Sequence, residues 1–174
     1  MIRNAVPADH AALLDLWQKN ATGQGYAPRP DAEVDRLLFS HPYFSYKHTF
    51  IREEQGRAVA FTCGCVGDDI PRGKERGYFT CLVAEPQWDT PETTAQLLNA
   101  LEDSFRAAGR TASAVTFFNP MHLPWVLPGS PGHEHNNMPG IATDLPLHDR
   151  MLAHGYTEAT QETAMYRTLA DFAV

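Results

Sequence analysis

A mixed α/β fold, with a mostly antiparallel central sheet flanked by helices, is what this sequence predicts. Three features carry that prediction. A hairpin signal, Glu54-Gln55-Gly56, joins two β-prone segments at 49–53 and 57–66. A long amphipathic stretch at 91–108 lies between an apolar strand at 78–83 and another at 114–118. A hairpin followed by β-α-β brings antiparallel and parallel neighbours into one sheet.

The elements follow in order. Residues 2–5 read as a short first strand. Pro7, Ala8 and Asp9 open a helix with Leu13, Leu14 and Trp17 on one face. Gly23, Gly25, Pro28 and Pro30 mark a loop, and Asp31 is placed to cap a second short helix carrying Val34, Leu37 and Leu38. Residues 67–77 are polar and rich in Gly and Pro, hence a loop, and 78–83 is apolar enough for burial on both faces. In 91–108, Leu97, Leu98, Leu101 and Phe105 share a face. Arg106 and Arg110 sit at its C-terminal end, where positive charge suits the dipole, and Gly109 closes it. Residues 119–146 carry six prolines and three glycines without a period, an unusual length for a loop with no structure of its own. A short helix at 147–153 ended by Gly155, and a strand at 164–169, complete a single domain over 1–174.

With 43% apolar and 20% charged residues the chain is of the globular class. At 174 residues it can bury roughly 70% of its unfolded surface. Fourteen Lys+Arg against 21 Asp+Glu give a charge of −7, which argues against nucleic acid and anionic membrane as partners. Three cysteines, Cys63, Cys65 and Cys81, are too few and odd in number for a disulfide scaffold. No apolar signal core or membrane span is visible, so a cytoplasmic protein is expected.

Eight histidines raise a metal hypothesis, with His122, His133, Glu134 and His135 in the long loop. No Cys-x-x-Cys or His-Glu-x-x-His spacing supports it, and no metal is expected. Cys63 and Cys65 project to one strand face and, like Cys81, read as small buried hydrophobes. Ser40-His41-Pro42-Tyr43-Phe44 reads as a helix end with aromatic plugs. Glu53, Glu54 and Glu85 are possible general bases, none of which stands out. Leu123, Trp125, Val126 and Leu127 either cover the sheet or contact a partner domain.

Four local patterns agree with a known family. They are Ile2-Arg3-x-Ala5-x-x-x-Asp9, the hairpin at 49–66, Leu82-Val83-x-x-Pro86, and His154-Gly155-Tyr156 after a short helix. In that order, over nearly the whole chain, the sequence resembles the GNAT (N-acetyltransferase) superfamily. The resemblance implies transfer of an acyl group from acetyl-CoA or another acyl-CoA to a small-molecule primary amine. It also implies that the strand through Leu82, Val83 and Ala84 pairs with the pantetheine arm. The next loop, Arg/Gln-Gly-x-Gly-x-Gly/Ala in the family, would hold the diphosphate on backbone N–H groups at a helix N-terminus.

Here that loop departs from the pattern. The Arg/Gln position is Asp89, and the three small positions are Thr90, Glu92 and Thr94, with Pro91 between the first two. Asp89 and Glu92 set negative charge beside an anion, a repulsion of about 4 kcal/mol for a pair near 4 Å at an effective dielectric near 20. Pro91 removes an N–H donor. The same residues suit a self-capped helix: Thr90 as N-cap, Pro91 at the first position, Glu92 toward the dipole. Loss of ordinary acyl-CoA binding is therefore expected. The family's Asn-x-x-Ala-x-x-x-Tyr keeps only Asn119; the Ala position is His122 and the Tyr position, which supplies the thiolate acid, is Val126. No catalytic residue is nominated. An emptied loop in a GNAT-like shell is similar to one half of tandem GNAT proteins. The resemblance thus implies either a divergent single-domain member, acting on acyl-CoA if active, or a non-catalytic domain that packs on a second GNAT domain or a second copy of the chain or binds another small ligand.

Overall fold

A computed structural model describes residues 1–123, 125–126, 134–135 and 140–161, with side chains for 1–123 and 140–161. Along the chain run β1 (Ile2–Asn4), α1 (His10–Asn20), α2 (Asp31–Val34), β2 (Thr49–Glu54), β3 (Arg57–Cys65) and β4 (Arg76–Ala84). Then come α3 (Pro91–Ala107), β5 (Ala112–Ala114), β6 (Trp125–Val126), β7 (Glu134–His135) and α4 (Pro146–His154). Gln55 and Gly56 take positive φ, 51° and 77°, in the two-residue turn whose twist matches its strands. This turn sets the β2–β3 register. β1 to β5 form a sheet in chain order; β1–β2, β2–β3 and β3–β4 are antiparallel and β4–β5 is parallel. The mixed, mostly antiparallel sheet is thus the one the sequence predicts.

Register decides which side chains meet which helix. Cys63 pairs with Cys81, but Gly64 pairs with Phe79, so Thr80 is an extra residue on β4. Such a bulge reverses the in–out alternation. Tyr78, Cys81 and Val83 join the core on the α1 side, and Phe79, Leu82 and Ala84 the core on the α3 side. α1 contributes Leu13, Leu16 and Trp17, with Leu14 at the rim. α3 contributes Leu97, Leu98, Leu101 and Phe105 as its periodicity predicts, and α4 adds Leu147 and Met151. The Phe105 ring lies on the backbone at Gly64 and Gly77, where no Cβ intervenes.

Three expectations change. Pro30 precedes α2 and Asp31 is its first residue; beyond Val34 the helix widens, and Ser40 N–H reaches Asp35 O at 2.7 Å. β5 is shorter and earlier than the strand expected at 114–118, because the chain turns at Thr116, whose carbonyl accepts from Asn119 N–H at 3.0 Å. The long loop contains the β6–β7 pairing, Trp125 opposite His135 and Val126 opposite Glu134. The strand expected at 164–169 lies outside the described residues, as do Leu127 and His133. No helix among the described residues is long and apolar enough to cross a membrane.

One buried histidine gives the fold a pH dependence. Ser104 Oγ donates to Leu101 O at 2.6 Å, so the contact of 2.9 Å between His48 Nδ1 and Ser104 Oγ has the imidazole as donor. Burial pushes the His48 pKa below its ordinary 6.5, and Lys47 and Arg110 push the same way. The folded protein therefore binds this proton less readily than the unfolded chain. Stability is full above about pH 6.5 and falls as pH drops through the lower folded value. His41, also pushed down by burial, adds in the same direction. We expect melting temperature to be flat from pH 8 to 7 and to fall toward pH 5, with a shallower fall in His48→Phe. Equal slopes in the two proteins would contradict this assignment.

Candidate functional site

The sequence-nominated positions gather where β4 leaves β5 and runs into α3. β5 pairs only with Arg76, Gly77 and Tyr78, so the rest of β4 has an edge with no strand beside it among the described residues. Glu85 N–H bonds Val59 O at 2.9 Å, toward β3. Backbone groups alternate along a strand, so those of Leu82 and Ala84 face the free edge and those of Val83 face β3.

That edge is met by the protein's own side chains. The Gln24 amide, at the end of the 3-10 turn Ala21–Gln24, lies against Leu82 O and Ala84 N; with its nitrogen and oxygen assigned by these neighbours, the nitrogen donates to Leu82 O and the oxygen accepts from Ala84 N at 3.2 Å. Tyr26 is buried, with its hydroxyl close to the Leu82 backbone. Asn119 fills the bulge: Nδ2 donates to Phe79 O at 3.0 Å and to Thr80 Oγ1 at 2.9 Å. Its Oδ1 accepts from Met121 N at 2.9 Å and from Cys65 Sγ at 3.3 Å. Both donors and both acceptor positions of the amide are used. Neither Gln24 nor Tyr26 is marked by periodicity or motif, so sequence reasoning missed both.

The N-terminus of α3 is closed in the same way. Thr90 is the N-cap, its Oγ1 accepting from Thr93 N at 3.2 Å, and Pro91 follows without a donor. Thr90 N bonds Trp88 O at 2.9 Å and Thr94 N bonds Thr90 O at 3.0 Å. Thr93 and Thr94 are buried. This leaves the Glu92 N–H, beside its own carboxylate, to face a ligand. Asp89 is not a bare charge: Arg150 of α4 bonds both its carboxylate and, at 2.8 Å, its carbonyl. Arg52 stacks over Trp88 at 4.5 Å and donates to Thr93 Oγ1 at 2.9 Å.

The candidate bases are all engaged with arginine. Glu53 accepts from Arg3 at 2.7 Å, Glu54 from Arg52 at 3.0 Å, and Glu85 from Arg57. The Arg57 contact holds the Glu85 carboxyl below its ordinary value, which weakens it as a base. Cys63 and Cys81 lie sulfur to sulfur at 3.4 Å in the core. Burial pushes the Cys63 thiol far up and the Cys65 thiol to about 12, so all three cysteines behave as small buried hydrophobes. Phe39, Phe44 and Tyr46 meet edge to face, and Tyr43 bonds Asp69. His122 is exposed, with Nε2 3.2 Å from Phe117 O, and Val126 lies in β6. A separate cleft of about 1010 Å³ lies among α3, β5 and α4; neither Leu82–Ala84 nor Asp89–Thr94 lines it.

No protein-family model matches the chain, and no curated protein sequence does. In fold it is similar to aminoglycoside 6′-N-acetyltransferase AAC(6′)-Ig from Acinetobacter haemolyticus, with 13% identity, 97% and 98% of the two chains covered, and TM-score 0.58. It is also similar to aminoglycoside N-acetyltransferase AAC(6′)-Iy in complex with CoA, with 16% identity, 97% and 93% covered, and TM-score 0.59. The chain therefore has the GNAT acetyltransferase fold.

The residues present do not fit acyl-CoA. The backbone groups that would pair with a pantetheine arm are covered by the Gln24 amide and the buried Tyr26, and the helix N-terminus that would hold a diphosphate is capped by Thr90 and lacks a donor at Pro91.

Proposed function

We propose that this chain is an N-acetyltransferase-like protein of the GNAT superfamily that has lost the ordinary acyl-CoA groove. It is a non-catalytic domain that packs on a second GNAT-like domain or another copy of itself, or binds a small ligand other than acyl-CoA. The observation that carries this reading is the donor accounting at the start of α3, where Thr90, Pro91 and the Arg150–Asp89 pair commit the groups a diphosphate needs.

A second reading is an active acyl-CoA-dependent N-acyltransferase acting on a primary amine. Its support is the near-full-length likeness to AAC(6′) structures. It requires Arg150 and Gln24 to leave their places when the cosubstrate arrives. Thiol release from acetyl-CoA, measured across a panel of primary amines, separates the two. We expect no amine-dependent release above background. Saturable, amine-dependent release would overturn the first reading in favour of the second.

A further inference from the structure

We propose that Gln24 is an intramolecular stand-in for one rung of a β-ladder, and that it decides whether an extended, amide-bearing ligand can lie along the free edge of β4. A ladder partner offers a donor to one strand carbonyl and an acceptor to a strand N–H two residues on. The primary amide of Gln24 offers both at once, its nitrogen to Leu82 O and its oxygen to Ala84 N at 3.2 Å. An extended ligand sets the N–H of one amide and the C=O of the next against the same two groups, so ligand and side chain exclude each other. A ligand need displace only the Gln24 side chain, which projects from the last residue of the 3-10 turn Ala21–Gln24 that Gly25 closes at φ 88°. Tyr26, by contrast, is anchored in the core with its ring 4.9 Å from Trp17, so the plug is the Gln24 side chain and not the whole loop.

This inference deepens the closed-groove reading but is tested apart from it, because pantetheine carries the amides of an extended ligand and no diphosphate. Hydrogen exchange followed by NMR on wild type, Gln24→Ala and Gln24→Glu comes first. In Gln24→Ala the Ala84 N–H is expected to exchange about tenfold faster. Gln24→Glu keeps an acceptor and should retain protection at Ala84. Glu85 N–H, bonded to Val59 O, reports that the sheet is intact in each variant. Pantetheine titration comes second, and Gln24→Ala should bind it about tenfold more tightly than wild type. Unchanged Ala84 exchange in Gln24→Ala, or equal pantetheine affinity in the two proteins, absence of binding included, overturns the inference. A response of the wild type to acetyl-CoA would instead count against the closed groove.

Discussion

Gly77→Ala is expected to lower the melting temperature by about 10 °C. A Cβ at this position would sit 2.2–2.5 Å from three atoms of the Phe105 ring. Phe105 is buried and is held on its other side by the same α3–sheet core, so it has no empty volume to enter. Overpacking of a filled core costs about 1–3 kcal/mol, and more when a ring meets backbone-fixed atoms. The backbone itself does not resist alanine, because Gly77 is not among the glycines with positive φ. The cost therefore belongs to one contact. Shrinking the ring in Gly77→Ala/Phe105→Leu should recover part of it, giving a coupling of at least about 1 kcal/mol. Gly23→Ala, with nothing within 4 Å of its Cβ, serves as control and should stay within about 0.5 kcal/mol of wild type. A Gly77→Ala protein as stable as that control would mean α3 does not lie on β4 as described.

Asn119→Ala is the second large effect, a loss of about 3–5 kcal/mol in denaturant unfolding. Four hydrogen bonds converge on this amide, and its removal leaves Phe79 O, Thr80 Oγ1 and Met121 N buried without that partner. An unsatisfied buried polar group costs about 1–3 kcal/mol, so packing volume alone cannot repair the site. Asn119→Leu should accordingly be no better than Asn119→Ala. Because Asn119 ties the segment after β5 to the β4 bulge, backbone amides of 119–123 should lose exchange protection in both variants. A loss below about 1 kcal/mol would sink this role.

These two positions show how far the sequence could be read. The periodicity of α3 named Leu97, Leu98, Leu101 and Phe105 because a helix repeats its face within one local segment. The hairpin was legible because Gln55-Gly56 carries its own turn chemistry. Gly77 stood only as a loop glycine, since the ring that needs it comes 28 residues later in the chain. Asn119 stood as the remnant of a family pattern, and its work as a clamp depends on the Thr80 bulge, which no local signal announces. At the candidate site the replacements Asp89, Thr90, Pro91 and Glu92 were visible, and Thr90 caps α3 as its residue type suggests. Two parts of the site were not visible. Arg150 neutralises Asp89 from 61 residues away, which converts an expected bare repulsion into a paired strap. Gln24 and Tyr26 reach β4 from a loop whose sequence announces only glycines and prolines. Contacts of that kind are set by tertiary packing, and a reading by spacing has no access to them.

Thermal unfolding with and without millimolar acetyl-CoA at low salt tests the closed groove most directly. A ligand at 100 times its dissociation constant stabilises by about 2.7 kcal/mol, or roughly 5–10 °C for a domain of this size. The predicted result is no shift beyond about 1 °C in the wild-type protein. A concentration-dependent rise of roughly 5 °C or more would mean that acyl-CoA displaces Gln24 and Arg150, and that the groove is open to its cosubstrate after all.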